Sequence, residues 1–353
     1  MVERPIRPEA SMLLTKHMEP LLVLTAQGLY CPEGDFFIDP WGKADKAIIT
    51  HAHSDHARAG HRSYLCHADT APLLKQRLGE HIQVETLQYG ETVSVRGVQV
   101  SLHPAGHVIG SAQVRLSFRG QVWVVSGDYK VVDDGLTPAF EPVRCHVFVT
   151  ESTFGLPVYR WAPQEILQQR LLAWIQEVHQ QEQIPVLIGY SLGKAQRLLY
   201  LLKETGLHCW LHPSIYAIHE TLITHHPELS QKFPPVHLFQ PSGRRQELQN
   251  SVLLIPPAAR ESQWLHRLEP CSTAYCSGWM QIRGHARQRG ADAAFALSDH
   301  ADWPGLLAAV EATGAEEVWA THGYAHTLAR YLREEKQIPA RDLLSPFAEE
   351  MEE

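Results

Sequence analysis

The chain carries His51-Ala52-His53-Ser54-Asp55-His56 directly after the apolar run Lys46-Ala47-Ile48-Ile49-Thr50, so four side chains able to bind a metal fall within six residues. If a strand delivers this loop, two imidazoles one residue apart can clasp one cation while Asp55 and His56 turn toward a second. A single Zn²⁺ is satisfied by four N, O or S donors, yet more donors follow. His107 closes His103-Pro104-Ala105-Gly106-His107, Asp128 closes Val122-Trp123-Val124-Val125-Ser126-Gly127-Asp128, and His322 follows Glu317-Val318-Trp319-Ala320-Thr321. Each adjoins an apolar, strand-like run, where loops carry chemistry on a rigid scaffold. The set points to a binuclear site. Among the 22 histidines, His61, His67, His81, His208, His225, His226 and His326 have no ligand spacing and read as ordinary side chains.

The elements that must position these groups begin with short apolar strands, which dominate as far as Glu151, with a helix near Ala71 to Leu78. Helix and strand then alternate: a helical pattern from Gln164 to Gln180, a buried strand from Ile184 to Ile188, a helix from Gly193 to Glu204, and strands at Val252 to Ile255 and Thr273 to Cys276. After His300 come a helix near Pro304 to Thr313 and the strand before His322. A strand, a Gly-containing turn and a helix start around Ser191, Gly193 and Lys194 offer backbone N–H groups to a nucleic-acid phosphate, with Lys194 adding charge. The full phosphate-loop pattern is absent, so the plain reading there is a helix start. Residues 1 to 20 read as a weakly ordered arm and Ala348 to Glu353 as a solvated acidic tail, with no internal repeat or low-complexity segment.

At 353 residues and 44% hydrophobic, the chain can bury a large core and divides naturally into two domains. It has no apolar stretch long enough to span a bilayer, and residues 1 to 20 lack the apolar segment of a signal peptide, so the expected location is cytoplasmic, with no membrane partner. The six cysteines are scattered and sparse, as reduced thiols would be. A formal charge of −8 argues against a general nucleic-acid sponge, because phosphate contacts draw on surplus Lys and Arg. Two basic runs stand out locally, Arg283-Gly284-His285-Ala286-Arg287-Gln288-Arg289 and Gly243-Arg244-Arg245. They make Arg283 and Arg287 candidate nucleic-acid contacts, a solvated face being the other reading, and a metal pair would itself add positive potential.

The HxHxDH motif with its later His, Asp and final His resembles the metallo-β-lactamase fold, an αββα sandwich with its metals at the edge between two sheets. That superfamily includes lactamases, glyoxalases, lactonases and nucleases, so the fold alone does not give the substrate. Phe148-Val149-Thr150-Glu151-Ser152-Thr153-Phe154-Gly155 places an acid at another strand end, and Phe295-Ala296-Leu297-Ser298-Asp299-His300-Ala301-Asp302 adds a histidine before His322. Roughly 170 residues separate Glu151 from His322. This arrangement resembles the β-CASP nucleases, in which an inserted domain caps the metal site; Glu151, His300 and His322 match that group's three added motifs. Gly189-Tyr190-Ser191-Leu192-Gly193-Lys194-Ala195-Gln196-Arg197 and Ser277-Gly278-Trp279-Met280 also look like β-CASP segments. The resemblance implies an α/β fold with an inserted α/β cap: residues 1–156 as the first part of the metallo-β-lactamase domain, 157–294 as the cap, and 295–353 as the last part.

Within the group the chain is most similar to bacterial ligase-associated DNA exonucleases. The similarity is carried by Gly28-Leu29-Tyr30-Cys31-Pro32, Phe37-Ile38-Asp39-Pro40-Trp41, Ser101 to Gln113, Gly127-Asp128-Tyr129-Lys130 and the Glu151 segment through Tyr159-Arg160-Trp161. It runs from about Leu21 to about Ala340. It implies DNA as partner, single-stranded or an end-containing duplex, together with a DNA ligase or repair helicase. His322 pulls the other way: eukaryotic DNA crosslink-repair relatives typically lack a histidine there and RNA-processing relatives have one, which keeps RNA cleavage as the alternative.

The implied mechanism uses two divalent cations, Zn²⁺ first and Mn²⁺ as the alternative. His51, His53 and His107 would hold one, Asp55, His56 and His322 the other, with Asp128 bridging, so that a shared water ionises near neutral pH and attacks phosphorus. His300 would protonate the leaving oxygen, with Glu151 orienting the imidazole or keeping it charged. Asp39 would support a ligand imidazole from behind, its plainer reading being a turn aspartate before Pro40. A small-molecule hydrolase is disfavoured by the long insertion and the Glu151/His300 pair, and an inert binding subunit by the intact donor set.

Overall fold

The computed structural model describes residues 19–240, 242–243, 245–282, 284–285 and 290–343. A first sheet is laid down in chain order by β1 (Val23–Thr25), β2 (Gly28–Cys31), β3 (Phe36–Ile38), β4 (Lys46–Ile48), β5 (Ser63–His67) and β6 (Val84–Leu87), antiparallel through β3 and parallel from there on. Helix α1 (Thr70–Leu78) is the crossover between β5 and β6. A second sheet starts with the meander β7 (Thr92–Val95), β8 (Val98–Pro104), β9 (Ala112–Phe118) and β10 (Gln121–Val125) and adds β11 (Val147–Glu151) in parallel.

After β11 the chain leaves the second sheet and builds a third one. Helix α2 (Gln164–Gln180) leads to β12 (Ile184–Ile188), followed by α3 (Lys194–Leu202), β13 (His208–Leu211), α4 (Pro213–His225), β14 (Val236–Leu238), β15 (Ser251–Ile255), the short α5 (Gln263–His266), β16 (Cys271–Cys276) and β17 (Ala293–Phe295). These six strands are all parallel, in the order β14-β13-β15-β12-β16-β17. The central strands β12 and β15 are buried at every residue, which is why they read as unbroken apolar runs rather than alternating ones. Helix α6 (Trp303–Thr313) then brings the chain back to β18 (Glu317–Thr321), and α7 (Ala325–Glu334) precedes β19 (Ala340–Asp342). Strand β18 pairs in parallel with β11, Glu151 opposite Thr321, so the excursion ends beside its starting point.

The first two sheets face each other across a core of Ile38, Ile48 and Leu65 from one side and Val100, Leu102, Val114 and Val149 from the other. The outer face of the second sheet is covered by α6 and α7 through Leu306, Val310, Leu328 and Leu332. The outer face of the first carries α1, and its core runs on through Leu73 and Leu74 to Leu198, Leu199 and Leu222 of the third layer. Amphipathic faces thus stack as helix, sheet, sheet, helix, with a further parallel α/β layer against the first helix. All six cysteines are unpaired, and burial pushes the Cys276 thiol up to about 12. Among the described residues no helix is long and apolar enough to cross a membrane.

Candidate metal centre

The loop His51–His56 begins where β4 ends, and Thr50 fixes it. The Thr50 N–H donates to Asp39 Oδ1 at 2.8 Å and its hydroxyl to Asp39 Oδ2 at 2.6 Å. Asp39, at the end of β3, holds a positive φ of 43°, a conformation that Asp tolerates better than most residues. Asp128 reaches the loop because Gly127 packs against Thr50 with φ of 56°; a Cβ there would sit 2.6 Å from Thr50 Cβ. His107 lies on the β8–β9 turn and His322 directly after β18.

Each of the five histidines has one ring nitrogen bound from outside the cluster. His51 Nδ1 donates to Thr50 Oγ1 at 3.1 Å, whose own proton is spent on Asp39, and His56 Nδ1 donates to Asp39 Oδ2 at 2.7 Å. His53 Nε2 donates to the Leu192 carbonyl at 3.3 Å, and His107 Nδ1 to the Asp299 carbonyl at 2.9 Å. His322 Nδ1 pairs with Thr321 Oγ1 at 3.2 Å. With those protons facing outward, the inward nitrogens carry lone pairs: His51 Nε2 and His107 Nε2 stand 3.0 and 3.1 Å from His53 Nδ1. Three such lone pairs at that separation repel unless a cation is shared among them. Asp128 Oδ2 sits 3.5 Å from His51 Nε2, 3.7 Å from His107 Nε2 and 3.4 Å from His56 Nε2, between the two donor sets. His56 Nε2 is buried without a hydrogen-bond partner. Ligand atoms of His51, His53, His107 and Asp128, and separately of Asp55, His56 and His322, lie within 4.8 Å of one another. The donor chemistry and the orphaned nitrogen fit divalent cations.

Electrostatics agree. Burial holds His51 and His107 well below the ordinary imidazole range and lowers His53 and His322, keeping them in the neutral form that binds metal. Burial opposes charge on His56 too, but Asp128, Asp55 and Asp39 hold it well above that range.

Beside the donors lies a dyad. His300 Nδ1 is 2.9 and 3.1 Å from the two oxygens of Glu151. Those oxygens also accept from the Tyr129 N–H at 2.7 Å and the Thr153 hydroxyl at 2.5 Å. Glu151, His300 and Asp128 are close enough to form a third donor group, but a carboxylate already taken by three donors orients an imidazole rather than binding a metal. Burial opposes the charge on His300, and Glu151 with Asp128 overcomes it and raises its pKa. His300 and members of both donor sets, His53, Asp128, Asp55 and His322, border a cleft of about 380 Å³ whose walls include Phe154, Tyr190 and Trp279.

The expected phosphate site at Ser191 and Lys194 takes a different form. Lys194 is buried, with Nζ 3.1 Å from Asp299 Oδ2, and Arg197 reaches the same carboxylate and the main-chain oxygen of Ser298. The N–H groups at the start of α3 are also engaged, Gly193 N with Gln196 Oε1 at 2.7 Å and Ala195 N with Tyr190 O at 3.0 Å. Ser191 borders the cleft and pairs with Ser214. The charge was legible in the sequence, but its buried partner, about a hundred residues away, was not. Arg283, Arg287 and Arg244 lie outside the described residues, and Arg245 is spent on the main-chain oxygens of Glu182 and Pro270. Thr50, Leu192 and Asp299 escaped the sequence reading. Only Asp299, directly before His300, left a signal there.

No family model matches the chain. A "Probable DNA ligase" of Opitutus terrae is 34% identical over 312 residues, which cover 88% of this chain and 30% of that protein. "Cleavage and polyadenylation specificity factor 73" of Drosophila melanogaster is 31% identical over 124 residues, 35% of this chain and 18% of that one. "Endoribonuclease YSH1" of Saccharomyces cerevisiae is also 31% identical over 124 residues, 35% and 16%. The chain therefore spans less than a third of the length of these curated relatives. A solved structure titled as a protein of unknown function from Enterococcus faecalis V583 shares the fold, with a TM-score of 0.58 at 14% identity over 86% of this chain and 80% of that one. The likeness that the motifs carry thus extends through relatives to most of the chain, which belongs to the β-CASP group of the metallo-β-lactamase fold.

Proposed function

We propose that the chain is a metal-dependent nuclease that hydrolyses phosphodiester bonds, and that it degrades DNA from an end. The observation that carries this reading is the convergence of two donor sets on Asp128 Oδ2, with His300, backed by Glu151, bordering the same cleft. When bound, two divalent cations, Zn²⁺ or Mn²⁺, supply an acidified water and neutralise charge on the attacked phosphate. His51, His53 and His107 would hold one, Asp55, His56 and His322 the other, with Asp128 shared between them, and Asp39 keeps His56 turned inward. His300, held charged by Glu151, delivers a proton to the leaving oxygen. Residues 157–294 act as the cap, contributing Tyr190, Ser191 and Trp279 to the cleft wall.

DNA is favoured over RNA because the relative named as a DNA ligase matches 88% of the chain, whereas the two relatives in RNA processing quoted above match 35%. By family resemblance the partners are a DNA ligase or repair helicase. The RNA reading rests on His322. Digestion of end-labelled single-stranded DNA, duplex DNA and matched RNA with Zn²⁺ or Mn²⁺ tests both, with folded Asp128→Ala protein as control. Stepwise loss of DNA that the control lacks supports the exonuclease; internal cuts confined to RNA move the chain to the alternative.

A further inference from the structure

The cleft does not end at the metal donors. A groove of about 570 Å³ shares Ser54, Asp55 and Arg77 with it and adds Lys43 and Arg58. A second groove, of about 460 Å³, shares Lys43 with the first and adds Lys46 and Arg62. Together they extend the cleft along the first sheet, past the loops before β4 and β5. Arg77 is pinned at the junction, its Nη1 donating to the carbonyls of Ala52 and Ala57 on the metal loop. Beyond it, Lys43 and Arg62 are exposed and Lys46 half-buried, and none of the three forms an ion pair among the described residues. Three acids share these grooves with the five cations: Asp55 belongs to the metal donors, Asp35 is paired with Arg96 and Tyr30, and Asp45 is exposed, so the cations remain in excess. Five cations in one channel, three of them unpaired, stand out in a chain with a net charge of −8.

We infer that this channel is a strand track, on which the sugar–phosphate backbone of a single nucleic-acid strand runs over Arg77, Arg58, Lys43, Lys46 and Arg62 while its scissile phosphate sits at the metal donors. The inference rests on the nuclease reading and adds to it the surface that holds the remainder of the substrate. A polyanion is the ligand that a row of five cations fits, Lys43, Lys46 and Arg62 among them having no ion pair among the described residues, and contacts of this kind bind phosphates without reading bases. A single strand is specified because the cleft at the end of the track, about 380 Å³, is the size of a small-ligand pocket and far too small for a duplex.

The test is the triple variant Lys43→Glu, Lys46→Glu, Arg62→Glu, with the Gln triple as a milder partner, both checked for folding and metal content. Hydrolysis of thymidine 5′-phosphate p-nitrophenyl ester, which reaches only the cleft, stays within about twofold of wild type, while kcat/KM on a long single-stranded oligonucleotide falls roughly 10- to 100-fold at low salt. The slope of log affinity against log salt, read by fluorescence anisotropy, becomes shallower by about 2, at about 0.7 per lost phosphate contact. Equal effects on both substrates, or an unchanged rate and slope on the oligonucleotide, overturn the track. A wild-type chain that binds the oligonucleotide with steep salt dependence yet leaves it uncut overturns the nuclease reading and leaves the track standing.

Discussion

Replacing His300 with alanine removes the imidazole that Glu151 holds at 2.9 and 3.1 Å and leaves both donor sets whole. A positioned acid contributes about 10²–10⁴-fold, or ~2.7–5.5 kcal/mol of barrier, and that loss is expected on a nucleotide leaving group, which departs as a strongly basic alkoxide. A p-nitrophenolate leaves without being protonated, so on that substrate the same variant slows by less than about tenfold. The difference between substrates isolates the proton from any general damage. The pH profile gives the sign. Burial works against the charge on His300, but Glu151 and Asp128 raise its pKa above the ordinary value, so the acid form persists below that raised pKa. The wild-type rate on nucleotides should fall as pH rises through it, and the alanine variant should lack that falling limb. Metal content measured alongside should match wild type. Equal slowing of both substrates, or loss of one metal, would make His300 a scaffold or a ligand and refute the acid role.

Two other changes probe the supports. Asp39→Ala strips His56 Nδ1 and Thr50 of their carboxylate, and metal affinity in competition with a chelating dye should fall about 10–100-fold; unchanged affinity would mean that Thr50 alone positions the loop. Asp299 is held at about 2, since Lys194 and Arg197 outweigh the burial that opposes its charge. Its pKa is depressed by folding, so its contribution of about 2 kcal/mol is present above the unfolded value and is lost as pH falls from about 4 toward 2. Asp299→Asn, which leaves buried Lys194 without its carboxylate and Arg197 with Asp134 alone, should cost about 3–5 kcal/mol at pH 7 and remove that acid limb from thermal melts.

The donor residues were legible in the sequence because they are chemically distinctive side chains placed at the ends of apolar runs. Backbone geometry then decides their meeting: β11 and β18 are neighbours, so Glu151 and His322 come together although the third sheet intervenes in sequence. The elements were equally readable where the pattern was long, the helix expected from Gln164 to Gln180 and the strand from Ile184 to Ile188 being observed at those bounds. Lys194 lines the cleft, but its partner was not legible, because a helix start with a lysine looks the same whether the charge meets solvent or a buried Asp299. Main-chain acceptors such as Leu192 leave no trace at all, since any residue supplies a carbonyl. The cations of the channel are spread apart, Lys43 and Arg62 on two loops and Lys46 at the start of β4, and no local run announces them.

The supports of the five histidines come from two different parts of the molecule. Thr50, Asp39 and Thr321, which orient His51, His56 and His322, all belong to the two facing sheets and their loops. The carbonyls that orient His53 and His107 come from Leu192, at the start of α3, and from Asp299, whose side chain that helix grips. Cutting out the chain between β11 and β18 would therefore affect the two donor groups unequally. Asp55, His56 and His322 would keep their supports, while His53 and His107 would lose the carbonyls that turn their lone pairs inward.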